Sequence, residues 1–126
     1  MTDQGLKRHL WSNSRVFTRV WQYEVPSRNV ERFLAAYGSS GDWARLFSRG
    51  CGYRNTVLYG AIGMPDRFIT VDQWSDEEAW RTFRDEWHVA YEALDAALDG
   101  LASAQEPLLE GTSTSDPADV KEVPAP

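Results

Sequence analysis

Hydrophobic and polar positions along the chain follow two periods, and each switch between them marks the edge of an element. Val16 to Val25 alternates, with Phe17, Arg19, Trp21 and Tyr23 on one face and Val16, Thr18, Val20 and Gln22 on the other, the period of a β-strand. Pro26 ends it, because proline cannot donate to a sheet ladder. Ser27 is placed to cap a helix whose buried stripe is Val30, Phe33, Leu34 and Tyr37, closed by Gly38. Trp43, Leu46 and Phe47 add one or two helical turns with a small apolar face, a flap over whatever lies beneath. The Gly50-Cys51-Gly52 corner leads into a second strand, Tyr53 to Ile62, centred on Val57, Leu58 and Tyr59. Gly63-Met64-Pro65-Asp66 is a turn by composition. Residues 67 to 74, with Phe68, Ile69, Val71 and Trp74, complete an antiparallel hairpin.

After that hairpin the period lengthens. Ser75, followed three residues later by Glu78, has the pattern of a capping box, and Asp76, Glu77 and Glu78 put negative charge at the positive end of the helix dipole. Trp80, Phe83, Trp87, Tyr91, Leu94, Leu98 and Leu101 then recur every three or four residues, which predicts one long helix closed near Gly100. At about 1.5 Å per residue it would span roughly 36 Å, enough to cross a sheet. Residues 103 to 110 form a last short strand, with Pro107 marking an edge or a bulge.

The order strand, helix, strand, strand, helix, strand is the split βαβ plan, an α+β ferredoxin-like fold over residues 16–111. Right-handed crossovers set the first and third strands side by side in the centre, with both helices on one face of the sheet. The central strands are apolar on both faces, so the uncovered face calls for a partner. A second copy of the same sheet supplies one, predicting a homodimer joined through its sheet faces. Residues 1–15 form an arm that docks through Leu10 and Trp11 or stays loose. Residues 112–126, with three prolines and no apolar period, read as a disordered tail.

Composition narrows the function classes. A chain of 126 residues with a net charge of −6 lacks the basic footprint that nucleic acid requires. A single cysteine, Cys51, allows no internal disulfide and suits a reducing compartment. With no signal-peptide pattern and no run of ~20 apolar residues, the expected location is the cytoplasm, with no membrane association. Six Trp, five Tyr and five Phe exceed the needs of a plain core, so part of them should line a cavity or an interface.

The segments VFTRVWQYEV, FLAAYGSSGDWARLF with its following GY, RFITVDQWSDEEAW, and the acidic-aromatic helix leading into the last strand resemble the antibiotic biosynthesis monooxygenase-like family over residues 16–111. The resemblance implies a dimeric α+β barrel. It also implies an activity drawn from the family's range: cofactor-independent quinone-forming monooxygenases, haem-degrading enzymes, and small cyclases or isomerases. The tryptophan ending the third strand of the quinone-forming enzymes corresponds to Trp74. Their asparagine four positions earlier is Thr70 here, their tyrosine six positions later is Trp80, and their helix arginine falls near Tyr91. The haem-degrading branch has an asparagine on its first strand, where residues 16–25 hold none, and a histidine later on its second helix than His88.

These readings give the following candidates. Trp74, Trp21 and Tyr23 would hold a flat aromatic or polycyclic ligand, or else fill the core. Arg19, Trp43, Trp80, Trp87 and Tyr91 extend that ligand-binding set. His88 is one candidate for proton transfer, since imidazole titrates near neutral pH, although its place beside Arg84 and Glu92 also suits a salt-linked surface residue. Asp72 is the other. A carboxylate on a central strand needs a partner, and Arg19 on the neighbouring strand is the candidate. His88 with Glu92 offers at most two ligands to a metal, Cys51 has no accompanying histidine motif, and no phosphate or dinucleotide loop is present. The expectation is a cofactor-free, metal-free dimer acting as a monooxygenase on an aromatic, polyketide-type molecule. Alternatives are a cyclase or isomerase on the same scaffold, and a non-catalytic small-molecule-binding dimer.

Overall fold

A computed structural model describes residues 15–114; the arm and the tail expected at the two ends fall almost wholly outside them. The elements are β1 (Phe17–Glu24), a 3-10 turn (Ser27–Asn29), α1 (Val30–Tyr37), α2 (Asp42–Phe47), β2 (Tyr53–Ala61), β3 (Met64–Trp74), α3 (Glu77–Glu86), α4 (His88–Ala97) and β4 (Ala104–Thr112). The strands form one antiparallel sheet in the order β2-β3-β1-β4. This is the ferredoxin-like α+β arrangement, with the first and third strands central.

The register decides which residues face the helices. Phe17 lies opposite Trp74, Arg19 opposite Asp72, and Tyr23 opposite Phe68, and all six are buried. The four aromatic ones meet the aromatic faces of α1, α2 and α3 in a single core. Within it Phe33 stacks on Tyr37 at 4.3 Å, with Tyr23 5.1 Å from Tyr37. A second group of rings surrounds Trp74 and Phe47. The opposite face presents Val20, Val57, Tyr59, Ile69, Val71 and Leu109, which are exposed or half-buried.

Several local expectations change. The long helix is two, interrupted at Trp87 (φ −111°, ψ 24°). The apolar stripe alone could not reveal this, because its spacing of three and four residues runs on through the break. The cap of α3 is Asp76, whose Oδ1 accepts from the Ala79 amide at 2.8 Å, and Ser75 is not the cap. The Ser75 amide is already bonded to Gly52 O at 2.7 Å, which holds Ser75 to the preceding corner. Gly52 has φ +96°, and a Cβ there would sit 2.5 Å from Ser75 Oγ and 2.7 Å from Ala79 Cβ. That corner therefore fixes the end of β3 and the start of α3 together.

Ser27 makes no side-chain cap; α1 begins one turn later at Val30, and Asn29 Nδ2 donates instead to Leu101 O at 3.1 Å. Leu34 is 44% exposed, and Ala36 takes the buried place on that helix. The hairpin turn is shorter than its composition suggested: β2 runs to Ala61 and β3 starts at Met64, leaving Ile62 and Gly63 (φ +81°) as the loop. Pro65 is tolerated within β3 because β1 pairs no further than Arg67. Pro107 sits at a register shift between β1 and β4, the irregularity its chemistry requires, and β4 extends to Thr112.

Candidate functional site

Where the two groups of core rings meet, a small pocket with an interior of about 60 Å3 opens between the sheet and the helices. Its sheet side sets the polar Arg19 from β1, Thr56 from β2, and Thr70 and Asp72 from β3 beside the rings of Trp21 and Tyr23. Its helix side is aromatic, with Tyr37, Trp43, Phe47 and Tyr91. Trp43 and Tyr91 lean on each other at 4.9 Å, joining α2 to α4, so the short α2 does cover a cavity.

Asp72 is the chemical centre of this floor. It is 6% exposed, and burial pushes its carboxyl up to about 6 from an ordinary 3.8, a rise that a hydrogen bond from Thr56 and the charge of Arg19 only partly offset. Thr56 Oγ1 donates to Asp72 Oδ1 at 2.7 Å. Having given its proton there, the threonine oxygen accepts from the Tyr53 hydroxyl, also at 2.7 Å. Burial raises the Tyr53 phenol, so it stays protonated and able to donate. The result is a chain from Tyr53 through Thr56 to a carboxylate poised near neutrality. Tyr23, whose phenol burial also pushes up, lies 3.4 Å from Thr70 Oγ1 across the strands.

The expected ion pair between Arg19 and Asp72 is not the one formed. Arg19 stands opposite Asp72 on β3 and opposite Glu110 on β4, and its Nε bonds Glu110 Oε2 at 2.9 Å. The guanidinium then lies 4.0 Å from the centroid of the Trp80 ring, a cation–π stack in a dry setting. Trp80 thus acts on the pocket through Arg19 and does not line it.

Of the candidates named from sequence, the pocket brings together Arg19, Trp21, Tyr23, Trp43, Asp72 and Tyr91. Trp74 is 0% exposed and packs behind the floor, its ring 5.2 Å from both Tyr53 and Phe83. Trp87 lies at the helix break under Arg49 (5.2 Å). His88 is exposed, with Nδ1 3.1 Å from Asp85 O; there it serves a carbonyl at the helix interruption, away from the pocket. Sequence reasoning missed Tyr37, Phe47, Thr56, Thr70, Asp95 and Gln105 as site residues. The available signal was the parity of β2 and β3, which sets Thr56 and Thr70 on the same face as Asp72. Among the described residues, no three His, Cys, Asp or Glu side chains converge in a metal-binding group, and no helix is long and apolar enough to cross a membrane.

No family model and no curated protein matches the chain. Solved structures do match. SnoaB, a cofactor-independent oxygenase from Streptomyces nogalater, aligns at TM-score 0.59 and 18% identity over 88% of this chain and 99% of its own. Candidate antibiotic biosynthesis monooxygenases from Nitrosomonas europaea and Bordetella bronchiseptica align too. The chain has the antibiotic biosynthesis monooxygenase-like fold. A dimeric ferredoxin-like protein from an uncultured marine organism has the same fold, at TM-score 0.60 and 15% identity over 90% of this chain and 96% of that one. A candidate monooxygenase from Lactobacillus acidophilus NCFM aligns at TM-score 0.61 and 15% identity over 77% of this chain, but this chain covers 44% of that protein's length. On the antibiotic biosynthesis monooxygenase-like fold, then, this chain sets an Arg19–Asp72–Thr56 floor beneath an aromatic roof.

Proposed function

We propose that the pocket takes an aromatic or polycyclic phenol or enol, and that Asp72 removes its proton. The buried Asp72 carboxylate, poised about two units above its ordinary value among aromatic walls, carries this reading. The favoured reaction is cofactor-independent oxygenation. Loss of a proton to Asp72 leaves a delocalised carbanion, which passes one electron to O2. The two radicals join as a hydroperoxide at the activated CH2 carbon, and loss of water leaves a carbonyl there. One oxygen atom enters the product, the other leaves as water, and the substrate supplies the electrons. SnoaB's description as a cofactor-independent oxygenase supports this choice. An oxygen electrode with an anthrone as substrate should show uptake that falls by about 10²-fold or more in Asp72→Asn. Proton exchange at the anthrone carbon without oxygen uptake would replace oxygenation with isomerase or cyclase chemistry. Binding with neither would make the protein a ligand carrier.

The same reading includes a homodimer. An open face rich in Val20, Val57, Tyr59, Ile69, Val71 and Leu109 is a large apolar surface for a free monomer, and the marine relative in fold is described as dimeric. Light scattering should give twice the chain mass, and Val71→Lys, which sets a charge in the middle of that face, should halve it. A monomeric wild-type protein at micromolar concentration would remove the dimer.

A further inference from the structure

Arg19 has capacity that its partners do not use. The residue is 6% exposed. One of its nitrogens, Nε, is bonded to Glu110, and the plane is held against Trp80. Among the described residues, no acceptor bonds Nη1 or Nη2. Arg19 is also the sole cation among the residues lining the pocket, where the other charged groups are Asp72 and Asp95. Neither Nη1 nor Nη2 is among the buried unpartnered polar atoms of the described residues, so both reach pocket water, which a ligand oxygen could replace. The guanidinium's fork geometry matches an oxygen anion, and the Trp80 stack together with the Glu110 bond removes the freedom that such a fork would otherwise lose on binding.

We infer that Arg19 is the oxyanion-binding residue of this pocket, so that the pocket selects aromatic molecules bearing an anionic oxygen over neutral ones of the same shape. The inference rests on reading the pocket as the substrate site, and it deepens that reading. When Asp72 takes a proton from a phenol or enol, it becomes neutral, and the negative charge appears on the ligand oxygen, in reach of a pre-placed cation. Glu110 is half-exposed and engaged at Nε, and Asp95 lines the pocket from α4 but is exposed to water, which screens it, so Nη1 and Nη2 remain the cationic donors available to a ligand oxygen.

Benzoate and its neutral isostere benzamide test this in the unaltered protein. At about pH 5 most Asp72 carries its proton, and benzoate should bind about tenfold or more tightly than benzamide. The preference should shrink at about pH 8, where ionised Asp72 repels the anion. Arg19→Met should reduce the ratio of the two affinities to about one while leaving benzamide binding within about twofold. If that variant does not fold, Arg19→Gln, which can still donate to Glu110 but carries no charge, reads the same ratio. Equal affinities in the wild-type protein at the lower pH would overturn the inference, as would a ratio unchanged in a folded Arg19 variant. Oxygen uptake combined with equal affinities removes Arg19 alone. Benzoate preference without any turnover leaves Arg19 in place and removes the oxygenase.

Discussion

Asp72→Asn should yield a protein that is more stable at neutral pH and has lost its proton-transfer chemistry. The carboxyl titrates at about 6 in the fold against an ordinary 3.8. Between those values the folded chain keeps a proton that the unfolded chain has released. Stability therefore falls as pH rises through this window, and above the folded value the full cost of a buried charge remains. Two units correspond to about 2–3 kcal/mol. Asparagine keeps an oxygen to accept from Thr56, so the substitution should return most of that energy at about pH 8 and almost none at about pH 4. Urea unfolding of both proteins at the two pH values reads it directly. An equal effect at both would show that the carboxylate is not desolvated. Turnover in the wild-type protein should rise with pH along a limb centred near the same value, because only the ionised carboxylate accepts a proton. A residue that destabilises the fold at the pH where it would work is the signature expected of a site selected for chemistry.

Trp74→Ala should cost about 3–5 kcal/mol, a large share of the ~5–15 kcal/mol that holds a domain of this size. Trp74 is fully buried, and Phe47, Tyr53, Trp80 and Phe83 all pack on its ring, so its removal leaves a cavity that none of these neighbours can fill without leaving its own. Denaturant unfolding followed by far-ultraviolet circular dichroism measures the loss, and a value under about 1 kcal/mol would contradict this placement. Trp74→Phe separates packing from chemistry. It should keep the fold and weaken turnover only as far as Tyr53 and Trp80 shift, which makes Trp74 a positioning residue. Its effect should appear in kcat without moving the pH limb that belongs to Asp72.

The fold was legible in the sequence because its signals agree: alternation over 17–24, helical spacing from Trp80 onward, and turn residues at each boundary all point to one plan. The site was only partly legible, for physical reasons that can be named. Strand β1 is apolar or aromatic on both faces, so alternation could not say whether the Arg19 face or the Val20 face meets the helices. Arg19 lies between carboxylates on both neighbouring strands, and the longer glutamate reaches Nε while the shorter aspartate turns to Thr56. Trp74 matches a position the resemblance marks as functional, yet the register that places Asp72 in the pocket sends Trp74 two pairs further along the strand, into the core. His88 drew attention by residue type alone, and residue type says nothing about a helix interruption.

That interruption divides the second helical stretch into two unequally buried pieces. Helix α3 buries Trp80 and Phe83, whereas α4 has no fully buried residue along its ten positions. Its core contacts come from the partly buried Ala90, Tyr91 and Leu94, so α4 is expected to open at lower free energy than α3. Because α4 carries Tyr91 and Asp95 while Asp72, Thr56 and Arg19 stand on the sheet, the chain combines a rigid reacting floor with a loosely fastened wall. A shift of α4 would therefore reshape the wall around a ligand while the proton-accepting group, carried by the sheet, kept its alignment.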